Sequence, residues 1–177
     1  MAGADIRFDI VSLMPRLRLF AYSLTRSAAD ADDLVQSTCE RALKARESFE
    51  PGTRLDSWMF RIMRNHWIDQ TRRRRFDGNV VHLSGEEAIP GEDGRDTVEA
   101  RDEMAAVHRL ILGLPEEQRS VLVLVCIDEL SYREAATVLD VPIGTIMSRL
   151  SRARQQLAKA LSATGAASHL KETGGGS

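Results

Sequence analysis

Ser131-Tyr-Arg-Glu-Ala-Ala-Thr-Val-Leu-Asp-Val-Pro-Ile-Gly-Thr-Ile-Met-Ser-Arg-Leu-Ser-Arg-Ala-Arg154 reads as two helices joined by a tight turn, the second carrying Arg149, Arg152 and Arg154. Ser131 is a good N-cap for the first. In the second, Ile146, Leu150, Ala153 and Leu157 recur at helical spacing and form one apolar stripe. That stripe is expected to face Ala135, Leu139 and Val141 of the preceding helix and turn. Ala135 and Ala136 are small enough for a close helix crossing, and Asp140 tolerates a left-handed turn. Burying the stripe leaves Thr145, Met147, Ser148, Ser151 and Arg152 facing outward, flanked by Arg149 and Arg154. The helix start at Gly144 and Thr145 offers free amides to a phosphate. This is the pattern of a helix-turn-helix that lays a basic helix in a DNA major groove. The competing reading is a solvated basic helix of an ordinary bundle. Turn chemistry, small crossing residues and the absence of acids from Ile143 to Leu161 favour DNA. Neutralising about four phosphates would give a salt slope of about −3.6.

Upstream, Leu114-Pro115-Glu116-Glu117 reads as a break followed by a helix, with Pro in its first turn and acids complementing the dipole. That helix runs through Val121, Leu122, Leu124 and Val125. Before it, Met104, Val107, Leu110 and Ile111 keep helical spacing. From Asp77 to Thr97 the periodicity vanishes and Gly78, Gly85, Pro90, Gly91 and Gly94 accumulate, the composition of a linker. On its far side, Ile10, Leu13, Met14, Leu17, Phe20 and Leu24 mark a first apolar helix face, in which Pro15 predicts a kink or a late start. Ser27 with Asp30 resembles a capping box for a second helix. There Leu34, Val35, Thr38 and Ala42 point inward, while Asp33, Gln36 and Glu40 align on the opposite face. Phe49 to Arg54 is a Pro-Gly loop. A third helix runs from about Leu55 to Arg72–Arg75, with Trp58, Met59 and Ile62 available for packing. The fold class is therefore all-α. Two small helical domains, 6–77 and 98–162, are joined by a flexible acidic linker, 78–97. A flexible tail, 163–177, ends in Gly174-Gly-Gly-Ser177, outside the fold.

The chain has 177 residues, enough for one ordinary domain or two small ones, and a formal charge of −2. That charge is segregated. Arg54 to Arg75 holds seven Arg against Asp56 and Asp69, whereas Glu86 to Glu103 holds eight acids against Arg95 and Arg101. Such asymmetry suits basic contact surfaces separated by an acidic connector. Met1 to Asp5 lacks a basic start followed by an apolar run, and Val121 to Ile127 is too short to span a bilayer. A cytoplasmic protein without membrane insertion is expected. Cys39 and Cys126 lack a partner at metal-ligand spacing and read as reduced, partly buried thiols. No metal site and no cofactor are expected.

The third helix combines Trp58 and Trp67 with a dense basic end. Basic residues interleaved with aromatics fit a surface that follows a phosphate backbone and stacks exposed bases. At least one Trp is expected in the core. Arg72 to Arg75 repel one another without an anionic partner, so they read as a contact patch. His66 reads as a polar-face residue.

Taken together, the chain resembles the extracytoplasmic-function (group IV) sigma factors of bacterial RNA polymerase, a likeness covering about Ile6 to Leu161. Ala31 to Ala42 is similar to the segment that docks on the clamp helices of the polymerase's largest subunit, which implies core contacts at Asp33, Gln36 and Glu40. Leu55 to Asn65 resembles the helix that reads the −10 element, and the loop before it resembles one that captures a flipped base. By that likeness the −10 set comprises Phe49, Thr53, Arg54, Arg61, Arg64, Asn65, Arg72, Arg73, Arg74 and Arg75. Leu114 to Arg119, with Ser131 to Ala136 and Gly144 to Arg154, is similar to the −35 domain. It implies DNA contacts at Gly144, Thr145, Met147, Ser148, Arg149, Ser151, Arg152 and Arg154. The family often carries Arg or Lys where this chain has Met147, and a large residue where it has Ser151. Met cannot make the bidentate guanine contact of an Arg, so no relative's −35 sequence transfers. The resemblance implies core RNA polymerase, promoter DNA and an anti-sigma factor as partners, and assistance to −10 melting without enzymatic activity. A stand-alone regulator that dimerises through its first unit, and a helical adaptor that sequesters another protein, are the competing functions. An enzyme is disfavoured, because no nucleophile–base pair, phosphate loop or carboxylate dyad is present.

Overall fold

In the computed structural model, residues 6–76 and 106–163 are described; the linker, the start of the second unit and the tail lie outside them. The described residues are all-α. α1 spans Ile6–Thr25, α2 Ala28–Lys44 and α3 Leu55–Phe76. Pro15 sits inside α1, which begins at Ile6, so it does not delay the helix. Its ring removes only the N–H that would have met the Val11 carbonyl.

Arg26 ends α1 in the left-handed region at φ 59°, and its amide donates to the Tyr22 carbonyl at 2.9 Å. Ser27 then caps α2 by accepting from the Asp30 amide at 3.3 Å. The expected reciprocal box does not form; the Ser27 amide donates to Thr25 Oγ1 at 3.3 Å. Leu34, Val35, Thr38 and Ala42 are buried, and Thr38 resolves its burial by donating to the Leu34 carbonyl at 2.7 Å. The three helices close on Leu17, Phe20, Leu24, Leu34, Met59, Phe60 and Met63. Phe20 and Phe60 meet edge-on at 5.1 Å between centroids. Edge-to-face pairs contribute about 0.5–1.5 kcal/mol beyond area burial.

In the second unit, residues 106–112 form α4, Glu116–Leu122 form α5, Tyr132–Leu139 α6 and Ile143–Ala163 α7. Pro115 is the N-cap of α5 rather than a residue of its first turn. The apolar run does not stay α-helical: Val123–Ile127 forms a π turn, closed by the Asp128 amide on the Val123 carbonyl at 2.9 Å. Ser131 and Glu134 make a complete capping box on α6, and Asp140 ends that helix at φ 51°, as its turn chemistry predicted. Ile146, Leu150 and Ala153 are buried on α7 against Ala135, Ala136 and Leu139.

The two units pack on each other, α1 against α5 and the π turn, α3 against α6. Arg119 is buried between them. It donates to the Leu112 and Leu114 carbonyls at 3.1 and 2.6 Å and to the Ser23 carbonyl at the end of α1. Burial, then the nearby Arg26, pushes its pKa down to about 10.

Candidate nucleic-acid and polymerase interfaces

Asp33, Gln36 and Glu40 are exposed on one face of α2, because the buried stripe of that helix occupies the other. Gln36 Nε2 donates to Glu40 Oε1 at 3.2 Å. The structure thus brings this trio together as an open, acidic strip.

The loop before α3 turns at Gly52, φ 90°, a conformation that glycine adopts without strain. Phe49 packs on Trp58 with centroids 5.2 Å apart, and the Thr53 hydroxyl donates to the Glu50 carbonyl at 2.7 Å. Arg54 is fixed by Asp56 through Nη2–Oδ2 at 2.6 Å and Nε–Oδ1 at 3.0 Å. Burial opposes the charge of Asp56. Hydrogen bonds from Arg54, the Ser57 amide and Arg16 outweigh it and hold the carboxyl below its usual range. Arg61 and Asn65 are exposed, as are Arg72, Arg73 and Arg75; Arg74 is half-exposed. The cluster ends α3, where cations complement the helix dipole.

Arg64 behaves otherwise. It is half-buried, and its Nε and Nη1 have no hydrogen-bond partner among the described residues. Burial lowers its pKa, opposed by Glu116 and Glu117 and assisted by Arg149. Trp67 is the core tryptophan, and its indole N–H donates to Glu116 Oε2 at 3.4 Å. His66 is not a polar-face residue. It is buried beside Gln70, at 2.9 Å, because α3 is packed on both α1–α2 and the second unit.

On α7, Met147, Ser148, Ser151 and Arg152 are exposed along one outer face, and Gly144 stands open at its start. The Thr145 amide is not free for phosphate: it donates to the Pro142 carbonyl at 2.9 Å. Arg149 is half-buried and paired with Glu117 at 2.9 Å. Arg154 Nη2 lies 3.7 Å from Cys126 Sγ. Cys126, within the π turn, is exposed rather than partly buried; Cys39 is half-buried as expected.

Sequence reasoning missed the charges between the units. Arg16 pairs with Asp56 at 3.0 Å and with Asp128 at 2.8 Å, and Arg54 reaches both carboxylate oxygens of Glu134 at 3.3 Å. The Ser131-x-x-Glu134 spacing was a readable signal for Glu134. Arg16, Asp56 and Asp128 carry no local signal of pairing.

The model of sigma-70 region 2 matches residues 10–76 and that of sigma-70 region 4 matches residues 104–157. The ECF RNA polymerase sigma factor EcfG of Rhodopseudomonas palustris is 38% identical over 163 residues, covering 92% of this chain and 88% of the relative. The chain belongs to the ECF sigma factors of RNA polymerase. Among solved structures, this sigma factor is similar to RpoE of Bartonella quintana in complex with the anti-sigma factor NepR. That likeness has TM-score 0.75 and 31% identity, and covers 89% of this chain and 97% of the other. It is also similar to CnrH in complex with the cytosolic domain of CnrY, with TM-score 0.62, 28% identity and coverage of 87% and 85%. The sigma factor works with core RNA polymerase at promoter DNA. Among its described residues no helix is long and apolar enough to cross a membrane.

Proposed function

We propose that this sigma factor acts as a two-point promoter clamp without catalytic activity of its own, working in the cytoplasm. Residues 6–77 grip core polymerase through Asp33, Gln36 and Glu40 and read the −10 element. Phe49, Thr53, Arg54, Arg61, Arg64 and Asn65 receive unpaired bases, and Arg72 to Arg75 hold the backbone. Extruded bases that find a pocket favour the open strands, which is how binding assists melting. Residues 98–162 anchor the −35 element as duplex through Gly144, Thr145, Met147, Ser148, Arg149, Ser151, Arg152 and Arg154. The acidic segment 78–97 runs near the polymerase's basic interior, and an anti-sigma factor holds the chain inactive.

The observation that best supports this reading is the separation of two open faces. The acidic strip of α2 and the outer face of α7 belong to different units and are both exposed. Co-purification with core polymerase tests the first, and run-off transcription from a cognate promoter tests the whole. A chain that never associates with core at low salt contradicts the proposal. Replacing Asn65 and Arg72 to Arg75 by Ala should lower promoter opening without changing duplex −35 binding by the holoenzyme.

A further inference from the structure

Among the described residues, the hydrogen bonds and ion pairs that Arg16 and Arg54 of the first unit make to the second end on a carboxylate or a carbonyl. Arg54 reaches Glu134 on α6. Arg16 bridges Asp56 of its own unit to Asp128, and its Nη2 also donates to the Asp128 carbonyl at 3.0 Å. The Asp128 side chain is 1% exposed and that of Arg16 35%, so the bridge is buried on its carboxylate side and open on its guanidinium side. Trp67 donates to Glu116, and the half-buried Arg64 sits in the mixed field of Glu116, Arg149 and Glu117. In the opposite direction, Arg119 crosses to the Ser23 carbonyl, and His108 stacks on Tyr22 at 5.5 Å.

A guanidinium meets a carboxylate and a phosphate through the same fork of N–H donors. Glu116 and Glu134 therefore present to α3 and its loop, and Asp128 to α1, the acceptor chemistry of a nucleic-acid backbone. Meanwhile the acidic strip of α2 and the Met147–Arg152 face of α7 stay open.

We infer that the second unit docks on the promoter-facing side of the first as an internal polyanion mimic, so that it and single-stranded promoter DNA compete for Arg54. The competition rests on the −10 assignment above; the docking does not. Closure leaves the polymerase-facing strip accessible, so core binding can precede release of the −10 surface. An internal competitor that keeps nine chains in ten closed depresses apparent affinity about tenfold.

The test uses the full chain with Glu116→Gln, Asp128→Asn and Glu134→Gln combined. Small-angle scattering reads its radius of gyration, and anisotropy reads binding to a fluorescein-labelled mixed-sequence DNA single strand at physiological salt. A control with Glu47→Gln, Asp69→Asn and Asp140→Asn removes the same charge at exposed sites away from the contact. Expansion of the first variant with about a tenfold gain in DNA affinity, neither seen in the control, is the expected result. Expansion without that gain keeps the docking and removes Arg54 from the −10 site. An unchanged radius overturns the inference, whatever the DNA affinity. If circular dichroism shows the triple variant unfolded, Glu134→Gln alone decides by the same readings, since Gln can still close the capping box.

Discussion

Met147 is 54% exposed in the middle of the outer face of α7, among the residues best placed to meet base edges. A thioether offers no bidentate donor, whereas an Arg there can fork onto a guanine for about 1–3 kcal/mol of discrimination. Met147→Arg should introduce a guanine preference into −35 sequences selected by the holoenzyme; an unchanged selection would remove Met147 from the reading face. Arg119 tests stability rather than recognition. Arg119→Met leaves three carbonyls without their charged donor, and the expected loss is about 3 kcal/mol, read as a lower denaturant midpoint. That Asp33, Gln36 and Glu40 share an exposed face of α2 was legible from their spacing alone, because an amphipathic helix with one buried stripe leaves no choice for the other face; the polymerase contact proposed for them comes from the family likeness. Arg119 was not, since its partners are main-chain carbonyls, which every residue carries.

The helix-turn-helix is held by caps as much as by its core. Ser131→Ala removes the side-chain acceptor of the Glu134 amide and should lower stability by about 1 kcal/mol. Glu134→Gln should cost less in thermal denaturation, because it keeps the bond to the Ser131 amide. An equal loss in both variants would mean that the charge on Arg54 outweighs the cap. Periodicity and caps made α1, α2, α3, α6 and α7 readable, together with the left-handed Asp140. The π turn was not readable: Val121 to Ile127 is uniformly apolar, and such a run contains nothing that separates an i+5 bond from an i+4 bond. His66 was misplaced for a related reason. α3 is buried on two sides, so one apolar stripe underestimates how much of it is enclosed.

The whole molecule carries a pH response with a definite sign. Burial lowers the pKa of His108; burial, then Arg41, lowers that of His66, with Arg73 adding to it and Asp69 opposing. Both histidines are thus neutral by preference in the folded state. Their contribution to stability is complete above about pH 6.5, the unfolded value, and is lost as pH falls through the lower folded values. The melting temperature should fall between about pH 7 and about pH 5, and the decline should flatten in a His66→Gln, His108→Phe double variant. Asp128, whose pKa burial raises against the pull of Arg16, has the opposite sign: its contribution is lost as pH rises through its raised folded value. The packing of the two units was hidden from the sequence, because its ion pairs join residues 80 and 112 positions apart and no periodicity links them. The π turn gives this packing a tolerance of length. It takes one residue more than an α-helical turn and closes on the Val123 carbonyl through the Asp128 amide. Deleting a single residue within Val123–Ile127 would close the turn with an i+4 bond instead and keep Asp128 one turn beyond Val123, on the side of Arg16. A deletion in a regular stretch such as Glu116–Leu122 would instead rotate everything after it by about 100°. The short apolar run is thus the one place along this helix where the chain could lose a residue and still leave its two halves in register.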